Sequence, residues 1–398
     1  MKEEFLHHIW KFRLFNQLDL LSTSGESIEI AGNVEIHLNA SDWKKHLHQH
    51  DKAYDNIILH IVYNADEPIY RASGETIPTL ELKEKIEKKI IQNYLLLKSN
   101  SDWIPCEKQI SAVPQLIINN TLDKLLLERL ERKSASIIDS LKINNNNWEE
   151  TFYQHLARNF GFKTNAEPFE LLAKSLPSLF LAKHKNSLLQ IEAMLFGQAG
   201  LLDEHLEDKY LQALQNEYVF LKQKLKLHSI DAHLWKFLRL RPVNFPTIRI
   251  AQFADLIFNS NHLFSKIIET EKCEDLKKLM NVEVSDYWLT HYVFDKTSAS
   301  SKKRLGDDSV NNIIINTVVP FLFVYGKQKD DIKYVERALQ FLEQTAGENN
   351  SIINKWDALK LSVKTAYSTQ ALLQLKNEYC SHKKCLSCNI GNYLLKKS

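Results

Sequence analysis

Glycine and proline are scarce in this chain, which has 10 glycines and 9 prolines among 398 residues. Sandwiches, barrels and glycine-looped nucleotide folds need many turn residues, so these classes are disfavoured, and long helices are favoured because their interiors exclude both residues. The chain also lacks a phosphate-binding P-loop, a dinucleotide fingerprint and the motifs of serine, cysteine or threonine nucleophiles. Nucleotide-driven and NAD-dependent chemistry are therefore improbable.

Long apolar runs are missing too. The longest candidate, residues 313–325, is interrupted by Asn316 and is shorter than the roughly 18 residues that a membrane span requires. The first residues lack the order of charged and apolar segments that a signal peptide has. Three of the five cysteines are crowded into positions 380–388, which is not the pattern of a secreted disulfide framework. We therefore expect a cytoplasmic protein without a membrane partner.

A surplus of positive charge is also absent, because 51 basic residues face 49 acidic ones and the net charge is +2. A protein that depends mainly on phosphate contacts usually carries a larger surplus. Composition alone therefore gives no support to nucleic acid as a partner, although basic residues can still cluster locally.

Alternation of apolar and polar residues indicates strands near the N-terminus. The runs 28–30 and 34–38 predict a hairpin that turns at residues 31–33, and the β-branched run 56–63 predicts a strand covered on both faces. Beyond about residue 83 the apolar period is helical. We predict an α+β fold in which a small N-terminal mixed sheet region, residues 1–82, packs on a large, mostly α-helical body, residues 83–398.

Helical spacing of apolar residues predicts an amphipathic helix over residues 2–16 and a short helical turn over 43–50, capped by Ser41 or Asp42. The asparagine run 144–147 predicts a loop. Further helices are predicted at 148–160, 167–182, 185–197, 207–227, 250–270, 310–325, 330–346, 352–364 and 368–379.

Four segments carry a family resemblance. They are GNVEIHLNASDWKKHLHQHDKAYDNIILHIVYNADEPIYRASGETIPTLEL (32–82), RLRPVNFPTIRIAQFA (239–254), INTVVPFLFVYG (315–326) and YCSHKKCLSCNIG (379–391). In this order they resemble the uncharacterised bacterial family called domain of unknown function 2851. The resemblance implies relatedness and carries no assigned function. The family's Gly-Pro-Asp-Phe segment before the Val-Glu-Ile-His strand has no counterpart here.

Glu35 and His37 lie two residues apart on a predicted strand, so both side chains project from one face. This arrangement is similar to the metal-dependent PD-(D/E)XK nucleases. The similarity implies that Glu35 holds Mg²⁺ or Mn²⁺ as a catalytic residue and that His37 stands at the lysine position. The aspartate expected upstream belongs to the missing segment, which implies impaired catalysis.

Carboxylates and imidazoles near this strand supply further candidate ligands, which are Asp42, His46, His48 and His60. Two interpretations stay open. In one, these residues form an accessory part of a metal site. In the other, Glu35, His37 and His60 form a polar network on a half-buried sheet and the remaining histidines occupy an exposed turn.

The C-terminal tail contains Cys380, Cys385 and Cys388 with His382 between the first two. Thiolate and imidazole at this spacing are suitable for structural Zn²⁺, and an iron–sulfur cluster is the alternative, with Cys273 or Cys106 as a distant fourth ligand. A third interpretation is that these are small buried thiols at the end of a helix.

Arg239, Arg241 and Arg249 surround the proline-rich segment 242–246 before a predicted helix. Arginines beside a helix N-terminus can bind a phosphate or carboxylate, or they can anchor the loop to neighbouring groups.

Three functional hypotheses follow. The first is a nucleic-acid-associated protein that resembles metal-dependent nucleases and is impaired in this chain. The alternative is a non-enzymatic helical scaffold that presents a groove to a protein partner. The third is a metal-dependent hydrolase for a small substrate, which would need a closed pocket around His37, His46, His48 and His60.

Overall fold

The computed structural model describes residues 17–21, 27–203, 207–260 and 262–397, with side chains from residue 32 onward. The helix predicted over residues 2–16 lies outside this described part. Two compact units are present, the first formed by Met1–Asp123 with Gln374–Ser398 and the second by Lys124–Leu373. The predicted boundary after residue 82 falls inside the first unit.

The described strands form three small sheets. The strands are Gln17–Leu21 (β1), Ser27–Ala31 (β2), Asn33–Asn39 (β3), Ile57–Asn64 (β4), Thr79–Glu81 (β5), His291–Val293 (β6) and Lys296–Thr297 (β7). β1 and β2 pair antiparallel, and so do β6 and β7. β3, β4 and β5 form a parallel sheet in that order.

The predicted hairpin between residues 28–30 and 34–38 is wrong. β2 pairs with β1, whereas β3 pairs in parallel with β4, and Asn33 N donates to Asn56 O at 2.8 Å. Alternation identifies a strand but not its partner, and the connection between β3 and β4 is long enough for a parallel crossover. Gly32 marks the place where the chain passes β4, because a Cβ there would lie 2.3 Å from Ile58 Cγ2.

Helices make up most of the remaining described chain, which confirms the α+β class. They are Asp42–Lys45 (α1), Lys88–Ser99 (α2), Gln115–Ile143 (α3), Trp148–Phe160 (α4), Ala166–Ser175 (α5), Ser178–Ala182 (α6), Leu188–Gln198 (α7), Lys209–Leu225 (α8), Pro246–Asn259 (α9), Leu263–Glu269 (α10), Cys273–Leu279 (α11), Asp286–Leu289 (α12), Asp307–Ile313 continuing through the π-helical Ile314–Val318 into Val319–Lys329 (α13), Ile332–Gln344 (α14), Ser351–Ala358 (α15), Ala366–Gln374 continuing through the π-helical Leu375–Cys380 (α16) and Asn389–Lys396 (α17).

Short 3₁₀ turns link several of these elements. They are His48–His50, Lys52–Tyr54, Ile110–Ala112, Ala232–Leu234, Pro242–Asn244 and Cys385–Ser387. The turn predicted over 43–50 corresponds to α1 and the first 3₁₀ turn, and the predicted loop at 144–147 is confirmed.

The parallel sheet has two chemically different faces. Side chains paired in a parallel register share a face, so the pairing of Glu35 with His60 and of His37 with Val62 places these four together. Trp43 of α1 packs on this face with Val62 and other apolar residues. The opposite face is apolar and carries Val34, Ile36, Leu38, Leu59 and Ile61. The sheet therefore presents its histidines to α1 and to the turns that follow it.

In the second unit, α13 is the one described helix that is long and apolar enough to cross a membrane by length and composition. Of its most apolar 18-residue window, 72% is buried inside the protein. Phe321 on this helix packs edge-to-face on Phe152 of α4. Burial of this kind is typical of a core helix.

Candidate metal centre

Three histidines converge above the parallel sheet. His37 on β3, His46 after α1 and His48 in the first 3₁₀ turn offer ligand atoms that all lie within 4.8 Å of one another. Within the described part of the chain this is the one group of three His, Cys, Asp or Glu residues that meets this distance. His46 is exposed and His48 half-buried, so the group opens to solvent above the buried His37. We call these three residues the histidine triad.

Local folding places each member of the triad. His37 points toward α1 because β3 alternates its side chains between the two faces of the sheet. Leu47 adopts a left-handed backbone with φ of 60°, which turns the chain between His46 and His48. The rings of His37 and His48 stack with their centroids 5.2 Å apart.

Trp43 and Tyr54 both pack against His48 of the triad. The ring of Tyr54 stacks on His48 at 3.7 Å, and buried Trp43 packs edge-on against His48 at 5.4 Å. These aromatic contacts restrict the rotamers of His48. Sequence reasoning did not assign either aromatic residue to the site, although Trp43 lies directly after the helix cap that was predicted.

His60 lies behind His37 and fixes its ring. His37 Nδ1 and His60 Nε2 are 2.8 Å apart, and both rings are buried. On its other side, His37 Nε2 lies 3.2 Å from His46 Nδ1 and 3.6 Å from Glu35 Oε1. Metal-ligating histidines usually donate their second N–H to such a partner. Ligation through His37 Nε2 requires the tautomer in which His37 Nδ1 donates to His60.

The buried imidazoles are held neutral. Burial lowers the pKa of His37 to about 4 and that of His60 to about 4, and neighbouring histidines lower both further. Burial and His46 also lower the pKa of His48. A neutral imidazole has a free lone pair, so at neutral pH protons compete little with a metal ion for these nitrogens.

The two carboxylates near the triad differ. Burial raises the pKa of Glu35, and His46 offsets part of this. Burial also raises the pKa of Asp42, but hydrogen bonds from Lys45 Nζ at 2.6 Å and Asn39 N at 2.9 Å outweigh it, so the pKa falls. Asp42 is therefore committed to the backbone at the end of β3 and to the side chain of Lys45. Glu35 faces the triad and carries the more basic carboxylate.

A cleft of about 330 Å³ is walled in part by Trp43, which contacts His48 of the triad, and no triad residue lines it. Lys44, Tyr70 and Arg71 contribute to the rest of its lining. Its lining has two cationic residues and no carboxylate. Lys44 pairs with Glu67 and Arg71 with Glu75 outside the cleft.

The C-terminal cysteines form a second group within the first unit. Cys385 and Cys388 are buried, and Cys380 is half-buried. Their fourth neighbour is Cys106, one of the two distant cysteines that the sequence offered, and these thiols influence one another electrostatically. Cys273 belongs to the second unit, where its sulfur lies 3.7 Å from Thr345 Oγ1. His382 is exposed.

The predicted arginines divide into two kinds. Arg239 and Arg241 are exposed, and Arg239 has a left-handed backbone with φ of 61°. Arg249 is buried and donates to Asn244, Gln252 and Ser309 while it stacks on Phe162 at 4.6 Å.

Burial lowers the pKa of Arg249 to about 10. Its Nε has no hydrogen-bond partner among the described residues, and the side chain borders a cavity of about 260 Å³. Anion binding at Arg249 stays a prediction.

Comparison with known proteins places the chain in a family. No curated protein and no solved structure matches it. The model of the family described as "Protein of unknown function (DUF2851)" matches residues 29–351, which is most of the chain and includes the whole histidine triad, so the protein belongs to that family.

Proposed function

We propose that the protein is a metal-dependent hydrolase whose metal ion binds the histidine triad. The observation that carries this proposal is the convergence of ligand atoms from His37, His46 and His48 within 4.8 Å. Catalytic zinc sites commonly use three protein ligands and leave one position open for water or substrate. The exposed side of the triad, at His46, leaves room for such a position.

Imidazole ligands favour one class of metal. Three imidazole ligands are suitable for Zn²⁺ and related transition metals, whereas Mg²⁺ prefers carboxylate and water oxygens. The magnesium or manganese site at Glu35 is the less favoured proposal, because Glu35 is the one carboxylate that faces the triad. Zn²⁺ is therefore the ion to test first.

Glu35 is the proposed general base. Its Oε1 lies 3.6 Å from His37 Nε2, so it borders the atoms that would hold the ion. A bound transition metal lowers the pKa of a water ligand toward 7. The raised pKa of Glu35 makes its carboxylate a better proton acceptor than a fully solvated one.

Nucleic-acid phosphodiesters are the proposed substrate class. The cleft next to Trp43 contains the exposed ring of Tyr70 and the ammonium group of Lys44, whereas Arg71 is committed to Glu75 and to two backbone carbonyls. A phosphate group competes with Glu67 for the exposed ammonium group of Lys44, and an exposed aromatic ring can stack on a base. An open site also admits a polymer, which an enclosed pocket would not.

The test combines metal binding with hydrolysis. Zinc is titrated by competition with a chromophoric chelator into metal-free wild type, His46→Ala and His50→Ala. His50 is the matched control because it is exposed in the same turn as His48 and is not part of the triad. We expect at least about 100-fold weaker binding in His46→Ala and no change in His50→Ala.

Hydrolysis is then measured on single-stranded DNA, duplex DNA, RNA and a small chromogenic phosphodiester. Zinc-dependent cleavage that is lost in Glu35→Gln supports the hydrolase. Zinc binding without cleavage of any substrate contradicts catalysis. Absence of zinc binding contradicts the whole proposal and supports the alternative, a non-enzymatic scaffold.

A further inference from the structure

Four cysteines from two distant parts of the sequence meet in the first unit. Cys106 lies in the turns after α2, and Cys380, Cys385 and Cys388 lie between the end of α16 and the start of α17. Three of them, Cys106, Cys385 and Cys388, are only 9% exposed. The group is independent of the histidine triad and shares no residue with it.

Specific contacts hold the two segments together. Lys376 Nζ donates to Trp103 O at 2.8 Å, Lys383 Nζ donates to Lys98 O at 2.7 Å and Asn93 Nδ2 donates to Leu395 O at 3.1 Å. These hydrogen bonds flank the cysteines on both sides in sequence. The proximity of Cys106 to the tail is therefore part of the packing of the unit.

The backbone of the C-terminal segment makes a tight turn at Cys385 and Cys388. Lys383 has a left-handed backbone with φ of 52°, and Cys388 N donates to Cys385 O at 3.3 Å to close a tight turn. A Cβ on Gly391 would lie 2.1 Å from Cys385 O, so α17 can approach this turn only with glycine there. This turn brings the backbones of Cys385 and Cys388 close together.

Four cysteines that meet in this way become favourable neighbours when a shared positive centre binds them, because each sulfur then loses its proton to the metal.

The spacing of the sulfur atoms distinguishes between metal centres. A single zinc ion with Zn–S bonds of about 2.3 Å places its sulfur ligands roughly 3.8 Å apart. No three of these four sulfur atoms lie within 4.8 Å of one another, since the histidine triad is the one described group that does. A [4Fe–4S] cluster binds each cysteine through a different iron atom and so holds its ligands farther apart.

We propose that Cys106, Cys380, Cys385 and Cys388 together ligate one iron–sulfur cluster. The cluster ties the C-terminal segment to the turns after α2 and stabilises the first unit. Exposed His382 is not a ligand in this assignment. Lys376 and Lys383 lie close enough to Cys380 and Cys385 to offset part of the negative charge of the ligated cluster.

The test uses the full chain purified without oxygen and without a polyhistidine tag. Iron, acid-labile sulfide and zinc are quantified, and the visible absorption is recorded before and after reduction with dithionite. We expect equal molar amounts of iron and sulfide and a visible absorption that bleaches on reduction. Zinc bound by these cysteines in place of iron, or no metal after reconstitution with iron and sulfide, overturns the proposal.

Variants assign the ligands. Cys106→Ser and Cys388→Ser should each lose most of the iron and the visible absorption, whereas Cys273→Ser is the matched control and should keep both. Circular dichroism checks that each variant folds. If a ligand variant fails to fold, the iron and sulfide contents of the wild type and of Cys273→Ser still decide the proposal. Full retention of the cluster in folded Cys106→Ser would overturn the assignment of Cys106.

Discussion

The two units differ in how they arrange residues that carry chemistry. In the first unit, residues of one type face one another, as in the histidine triad backed by His60 and in the group of four cysteines. In the second unit, Glu192 is buried, Lys133 is half-buried, and each is hydrogen-bonded to neutral groups. Glu192 accepts hydrogen bonds from Tyr210 and Ser285, and Lys133 donates to amide oxygens of Asn316 and Gln370.

We interpret groups of one residue type as ligand sites and separate hydrogen-bonded residues as structural polar networks. Ionisable groups of one type repel one another in their charged forms, so their grouping needs a further explanation, and a shared metal supplies one. The burial of a single polar group that has hydrogen-bond partners needs no metal, because those partners already satisfy it. The following predictions test this distinction, from the largest expected effect to the smallest.

Trp43→Ala should remove the aromatic support of the triad. Trp43 is 1% exposed and packs on His48, Tyr54 and His60. Truncation of such a side chain should lower the free energy of unfolding by about 3–5 kcal/mol, measured by urea denaturation. It should also weaken zinc binding. Trp288→Ala in the second unit is the control, since it removes an equally buried tryptophan and should destabilise the protein without changing zinc affinity. Equal zinc affinities in Trp43→Ala and wild type would contradict the proposed support.

Glu192→Gln should change how stability depends on pH. Burial raises the pKa of Glu192 from 4.5 to about 7, although Tyr210 and Ser285 donate to it. Between these values the folded chain keeps a proton that the unfolded chain has released, so stability falls as the pH rises through this window. The variant should therefore gain stability relative to wild type with rising pH, by roughly 3 kcal/mol above pH 7. Urea denaturation at pH 5 and pH 8 measures the gain. An unchanged difference between the two pH values would show that Glu192 is not the titrating group.

His60→Phe should weaken zinc binding without removing a ligand. His60 contacts His37 Nδ1 at 2.8 Å and orients the ring for ligation through Nε2. Loss of such a supporting hydrogen bond should reduce zinc affinity about 10- to 100-fold in a chelator-competition titration. His60→Gln, which keeps an acceptor oxygen, should lose less. If both variants bind zinc as tightly as the wild type, His60 has no part in the site.

Local sequence carried most of the information about the triad. Glu35, His37, His46 and His48 all lie between the start of β3 and the first 3₁₀ turn, so alternation along a strand and a predicted helix cap were enough to bring them together. The strand that pairs with β3 could not be predicted, because a period of two in the sequence does not reveal whether β3 pairs with β2 or with β4.

Contacts between distant segments were harder to predict. The sequence could not choose between Cys106 and Cys273 as a fourth cysteine, because the choice depends on how the C-terminal segment packs on the turns after α2. It also could not separate Arg249, which is buried, from its exposed neighbours Arg239 and Arg241. Burial of a long charged side chain depends on which polar groups the rest of the fold supplies.

The central claim is that the first unit holds two separate metal centres. The most direct measurement is the zinc and iron content, by inductively coupled plasma mass spectrometry, of wild type, His46→Ala and Cys388→Ser purified without a polyhistidine tag. We predict that His46→Ala loses zinc and keeps iron, and that Cys388→Ser loses iron and keeps zinc. A wild type that binds neither metal after reconstitution, or variants that lose both metals together while still folded, would contradict the account.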